Sequence, residues 1–156
     1  MSIVTRSGKC VIINIMANGR RKNKYGSKEA KSGITARLPA IETWPNQFPG
    51  YEITITYPEF TSVCPRTGLP DFGAITIRYQ PDKRCLELKS LKFYFLAYRN
   101  LGIFYENVVN RILKDVVAAA GPKWARVTGE FTARGGMKSV AEASYGLQGN
   151  IPAGRG

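Results

Sequence analysis

The chain is predicted to be an α+β domain of order β-β-α-α-β-β, an antiparallel sheet with two helices on one face. Two strand-like stretches of alternating apolar and polar residues come first, two more close the chain, and helical spacing fills the span between them. In the first stretch Tyr51, Ile53, Ile55 and Tyr57 alternate with Glu52, Thr54 and Thr56, a half-buried strand. Pro58 to Cys64 then leads into Pro65-Arg66-Thr67-Gly68-Leu69-Pro70-Asp71, a loop dense in turn formers. The second strand is Phe72 to Tyr79, with Ile75, Ile77 and Tyr79 on one face, and Pro81-Asp82 turns the chain.

Ser90 to Asn100 reads as a helix through the spacing of Leu91, Tyr94, Phe95 and Tyr98. After a break at Gly102, a second helix covers Phe104 to Ala120 and stops at Gly121-Pro122. Trp124 to Thr132 and Met137 to Ser144 complete the order as two strands around Arg134-Gly135-Gly136. Residues 36–145 form the expected domain, and its opening segment, 36–50, is punctuated by Pro39, Pro45 and Pro49 and should lie extended on the surface. Residues 1–35 are expected to be a flexible basic arm and residues 146–156 a flexible tail.

The chain has 156 residues, a net charge of +12 and no histidine. Residues 1–40 hold nine Lys and Arg against Glu29 alone, a local +8. Such an arm is either a solvated tail or a contact for nucleic acid or phosphate, and Met16 is an alternative start. The apolar runs are too short to span a bilayer and no signal peptide is evident, so the expected location is cytoplasmic. Without histidine, Ser-His-Asp and Cys-His machinery is excluded. Three cysteines (Cys10, Cys64, Cys85) outside any CxxC motif give neither a paired framework nor a metal site.

Chemistry must therefore come from Cys, Asp, Glu, Lys and Tyr. Cys64 sits at a strand end before a proline-rich turn. It is either a small buried hydrophobe or a nucleophile, and Asp71, closing the same loop, suits a general acid. Lys89 and Lys92 share a helix face. They are either solvated or a phosphate clamp at a helix start, where backbone N–H groups favour anions. Glu106 either favours its helix N-terminus or recognises a guanine-like edge. Arg134-Gly135-Gly136 is either a simple turn or a close approach to an anion.

In their order and spacing, Phe60-Thr61-Ser62-Val63-Cys64-Pro65, Gly68-Leu69-Pro70-Asp71-Phe72, Glu87-Leu88-Lys89-Ser90-Leu91-Lys92-Phe93-Tyr94, Arg99-Asn100, Glu106 and Phe131-Thr132-Ala133-Arg134-Gly135-Gly136 resemble the QueF family. These are the NADPH-dependent 7-cyano-7-deazaguanine reductases of queuosine biosynthesis, here in the short single-domain form, and the resemblance covers about residues 51–140. It implies the tunnelling fold, with subunits assembled into stacked rings and active sites between subunits of a homo-oligomer. It also implies that Cys64 adds to the nitrile as a thioimidate, that Asp71 handles protons, and that NADPH supplies two hydrides. Leu86, Glu87, Leu88, Tyr105 and Glu106 would hold the deazapurine. Lys89, Ser90, Lys92, Arg134 and Gly135 would meet the cofactor, and no nucleic-acid or membrane partner is implied. Two departures stand out: Tyr105 occupies a position that is commonly His, and Ala133 one that is commonly Pro. The alternative within the resemblance is an amidinotransferase that adds ammonia to nitrile-bearing tRNA. It has no use for the lysine motif, but the basic arm would suit it.

Overall fold

A computed structural model describes residue 28 and residues 31–146. The expectations for the rest of the arm, including Cys10 and Met16, and for the tail beyond residue 146 lie outside the described residues. The elements are β1 (Thr43–Pro45), β2 (Ile53–Val63), β3 (Pro70–Gln80), β4 (Arg84–Leu86), α1 (Leu88–Leu96) with a 3₁₀ turn at Ala97–Asn100, α2 (Tyr105–Ala120), β5 (Trp124–Arg134) and β6 (Met137–Tyr145). The main sheet is antiparallel throughout, in the order β2-β3-β5-β6, while β1 and β4 pair as a separate small ribbon. The α+β reading and the β-β-α-α-β-β order therefore hold.

Alternation decides which face of the sheet is covered. Phe60, Ile75, Ile77, Tyr79, Ala125, Val127 and Phe131 point to the buried side. They meet Leu91, Tyr94, Phe95 and Tyr98 from the first helical segment and Val108, Val109, Ile112 and Val116 from α2 in one core. Each fully buried side chain of this size contributes roughly 1.5–3 kcal/mol relative to exposure. The aromatic members interlock: Tyr57 stacks on Phe95 at 4.8 Å, and Phe60 tilts against Tyr98 at 5.4 Å. Gly121 ends α2 in the left-handed conformation (φ 56°), returning its N–H to the Val117 carbonyl.

Three differences from the sequence reading have physical causes. The first strand does not stop at Tyr57. A bulge between Tyr57 and Phe60 absorbs Pro58, which has no N–H to give the ladder, and pairing then resumes to Val63. The small ribbon was not anticipated because three-residue strands carry no period, although its first strand does lie in the segment expected to be extended. Residues 32–35, grouped with the arm from sequence, are held against the domain together with Ala36. The Ser32 hydroxyl donates to the Gly102 carbonyl at 2.7 Å, and the Arg111 guanidinium donates to the Ala36 carbonyl at 3.0 Å and to that of Ile34. Arg111 is itself steadied by Asp115 at 2.7 Å, and Asp115 also accepts from the buried Tyr94 hydroxyl at 2.8 Å.

Candidate active site

Cys64 lies just past the end of β2, where two connections meet. Its N–H donates to the Leu69 carbonyl and its carbonyl accepts from Gly68, both at 2.9 Å, so the turn closes on itself. Gly68 sits at φ 69°, a conformation that glycine takes without steric cost. On the other side, Val63 exchanges backbone hydrogen bonds with Leu101 (3.0 Å) and Ile103 (3.1 Å), tying the strand end to the segment that enters α2. The thiol is half-buried. Burial pushes its pKa up, but hydrogen bonds from the Thr67 hydroxyl, the Thr67 and Arg66 N–H groups and Arg134 outweigh this and hold it below the ordinary thiol value. A concavity of N–H groups is a fitting cradle for a thiolate.

Asp71 is buried at the start of β3, and its Oδ1 is the meeting point of the site. Tyr105, at the first position of α2, donates its hydroxyl to Oδ1 at 2.9 Å. Arg134 forms an ion pair with the same oxygen and donates to the Pro70 carbonyl at 2.9 Å. Arg134 reaches this place because pairing of β5 with β6 shifts register between Phe131 and Arg134 before the Gly135-Gly136 turn. The Tyr105 ring lies flat on Phe131, with centroids 3.8 Å apart and planes within 10°. Burial, then the bond to Asp71, pushes the phenol up to about 12. Glu106 follows Tyr105 on α2, with its side chain exposed.

The structure thus gathers Cys64, Asp71, Tyr105 and Arg134, with Glu106 and Gly135 beside them in the chain. It does not gather the rest. Leu86, Glu87, Leu88, Lys89, Ser90 and Lys92 lie at the opposite end of the sheet, where the Leu86 N–H donates to the hydroxyl of Tyr79 at 3.0 Å. From Asp71 to Tyr79, β3 rises about 26 Å at roughly 3.3 Å per residue. Arg134, expected beside the two lysines, is instead on Asp71 and Cys64 within the chain.

The reading of the α1 start as a backbone anion site is also corrected. Glu87 caps the helix with its own carboxylate, accepting from the Lys89 and Ser90 N–H groups at 2.7 Å each. The N–H groups a phosphate would use are already taken. The Ser90 hydroxyl is likewise committed, donating to the Glu87 carbonyl (2.8 Å) and accepting from the Glu42 N–H (2.9 Å). What remains for an anionic cofactor is Lys89 and Lys92, both exposed; Lys89 lines a groove of about 330 Å³ together with Pro39, Ala40, the half-exposed Phe93 ring, Glu42 and Glu87. Cations next to an apolar wall fit a dinucleotide's phosphates and rings.

Sequence reasoning missed Thr67 and Phe131, whose roles come from contacts rather than from residue type. It also missed Ser62, which stands across the ladder from Asp71, fully buried and with no hydrogen-bond partner among the described residues. Cys85, the other described cysteine, is buried with the Tyr51 hydroxyl 3.3 Å from its sulfur, and so is no rival nucleophile.

Comparison with known proteins decides the family. A family model described as QueF-like protein matches residues 70–150. The NADPH-dependent 7-cyano-7-deazaguanine reductase of Elusimicrobium minutum is 60% identical over 122 residues, spanning 78% of this chain and 92% of the relative. The protein of the same name from Chloroherpeton thalassium is 58% identical over 107 residues, 67% of this chain and 92% of the relative. This chain belongs to the QueF family. Among solved structures, the apo archaeosine synthase QueF-Like superposes with a TM-score of 0.56 at 23% identity, covering 64% of this chain and 95% of that one, a likeness of fold.

Proposed function

We propose that this chain is an NADPH-dependent reductase of the nitrile of 7-cyano-7-deazaguanine, yielding the aminomethyl product for queuosine biosynthesis. The observation that carries the reading is the Cys64 thiol, held below its ordinary pKa in a cradle of donors beside Asp71. Close relatives that bear the reductase name support it. The likeness to the archaeosine synthase is one of fold, and gives the amidinotransferase alternative no added weight.

Cys64 forms a C–S bond to the nitrile carbon as one π bond of the nitrile passes to nitrogen. Asp71 takes the Cys64 thiol proton and passes it to that nitrogen, so the thiol's hydrogen ends on the thioimidate N–H. Glu106 accepts hydrogen bonds from the ring N–H and exocyclic amine of the deazapurine. The exposed Lys89 and Lys92 hold the cofactor phosphates, and the bound nicotinamide supplies hydride equivalents. Asp71 relays the further protons from solvent, and Cys64 leaves as thiolate when its C–S bond breaks.

Because β3 separates these halves, the functional unit is a homo-oligomer in which the Cys64 end of one chain faces the α1 start of another. Residues 36–145 form the reductase domain, acting in the cytoplasm on a small molecule rather than on nucleic acid. Among the described residues no helix is long and apolar enough to cross a membrane. Purified protein with 7-cyano-7-deazaguanine should oxidise about two NADPH per nitrile. Cys64→Ala should abolish both turnover and the covalent adduct seen by mass spectrometry. No oxidation, with amidine forming on nitrile-bearing tRNA when ammonia is added, would replace reduction by the amidinotransferase reading.

A further inference from the structure

Two donors converge on one oxygen of Asp71. The Tyr105 hydroxyl has a single proton, and it points at Oδ1 from 2.9 Å. The Arg134 guanidinium pairs with the same oxygen while a further N–H holds the Pro70 carbonyl, the residue just before Asp71. Tyr105 has little freedom to turn away. Its ring is stacked on Phe131, and the Phe131 ring lies so close over Gly129 that a Cβ there would sit 2.9 Å from it. Across the ladder, Gly73 pairs with Phe131, and a Cβ at Gly73 would meet the Glu130 carbonyl at 2.6 Å. Close packing of β3, β5 and the Phe131 ring therefore fixes where the phenol stands.

We propose that Tyr105 and Arg134 are positioning residues: together they pin Oδ1 of Asp71, leaving Oδ2 as the oxygen that exchanges protons with the substrate nitrogen. This rests on the reductase reading and reassigns both side chains. Tyr105 is assigned to the aspartate, and Arg134 to the reacting pair. Neither group gives up its proton near neutral pH. The phenol is pushed up to about 12, and the guanidinium is raised further: burial opposes this, but the charge of Asp71 and its neighbours prevails. They hold the carboxyl in place without entering the proton exchange themselves. General acid catalysis needs that orientation as much as it needs the acid.

The test is Tyr105→Phe, which keeps the ring and its stack and removes only the hydroxyl. Loss of one charge-assisted hydrogen bond with Arg134 still in place should lower kcat for nitrile reduction about tenfold. The Kd for 7-cyano-7-deazaguanine, measured by calorimetry without NADPH in a Cys64→Ala background that forms no adduct, should stay within about twofold, because Glu106 carries recognition. Arg134→Lys keeps a cation but loses the fork, and should also lower kcat while leaving the KM for NADPH near the wild-type value. A weakened Kd with unchanged kcat in Tyr105→Phe would make the hydroxyl a substrate ligand and overturn the proposal. So would unchanged kinetics, or a raised NADPH KM as the main effect of Arg134→Lys. Wild-type protein that oxidises no NADPH would instead remove the reductase reading itself, so the two failures are distinguishable.

Discussion

Two inactive variants should rescue each other inside one assembly. Cys64→Ala removes the nucleophile at one end of β3, and Lys89→Ala/Lys92→Ala removes the exposed cations at the other. The rise from Asp71 to Tyr79 is about 26 Å, and the Tyr79 hydroxyl bonds the Leu86 N–H at the start of the lysine motif. A nitrile bonded to Cys64 cannot meet a nicotinamide held by its own chain's lysines across that span. In the proposed homo-oligomer each site would take its two halves from different subunits. In an assembly made from equal amounts of the two variants, each half of a site is intact with probability one half. About one site in four then has both halves, so the mixture should reach about a quarter of wild-type NADPH oxidation. The variants can be co-expressed with different affinity tags and doubly purified assemblies assayed by cofactor absorbance. A triple variant carrying all three changes in one chain, co-assembled with wild type, gives the reference in which the surviving sites are wild type in both halves. Mixed assemblies no more active than either variant alone, with size unchanged by gel filtration, would refute the divided site.

Two further outcomes follow from named contacts. Alkylation of Cys64 by iodoacetamide should rise with pH and level off below the 9.0 of an ordinary thiol. Thr67→Val removes a donor to the thiolate and should move that profile to higher pH; an unmoved profile would mean that the Thr67 hydroxyl does not act on the sulfur. Tyr94→Phe deletes the bond to Asp115 and strands the buried Tyr98 hydroxyl, which shares a 2.9 Å hydrogen bond with Tyr94. The loss should be about 3 kcal/mol by urea unfolding at fixed protein concentration. Adding Tyr98→Phe should recover about 1 kcal/mol by removing the orphaned group, whereas further destabilisation would contradict the network.

The fold was legible in the sequence wherever a period ran long enough. Ile75, Ile77 and Tyr79 announced β3, and Leu91, Tyr94, Phe95 and Tyr98 announced the first helical segment, because one face of each had to be buried. The β1–β4 ribbon has three residues a side and no period to read, and Pro58 hid the second half of β2 behind a bulge. In the site, Cys64 and Asp71 could be linked because one loop joins them. Tyr105 and Arg134 could not be placed on Asp71 from the sequence, since their approach depends on how α2 and the β5 bulge dock against β3. Local sequence shows which residues can react, while the docking of distant segments determines what holds them in position.

The Glu87 cap has a consequence for how the enzyme holds its cofactor. By closing the start of α1 with its own carboxylate, the chain trades fixed backbone dipoles for two lysine ammonium groups on flexible stems in solvent. Such charges are screened over a Debye length of about 8 Å at physiological ionic strength, whereas buried N–H groups feel salt far less. On the proposed contact of Lys89 and Lys92 with the cofactor phosphates, raising the salt concentration should weaken cofactor retention and ease release of oxidised cofactor between the two reductions.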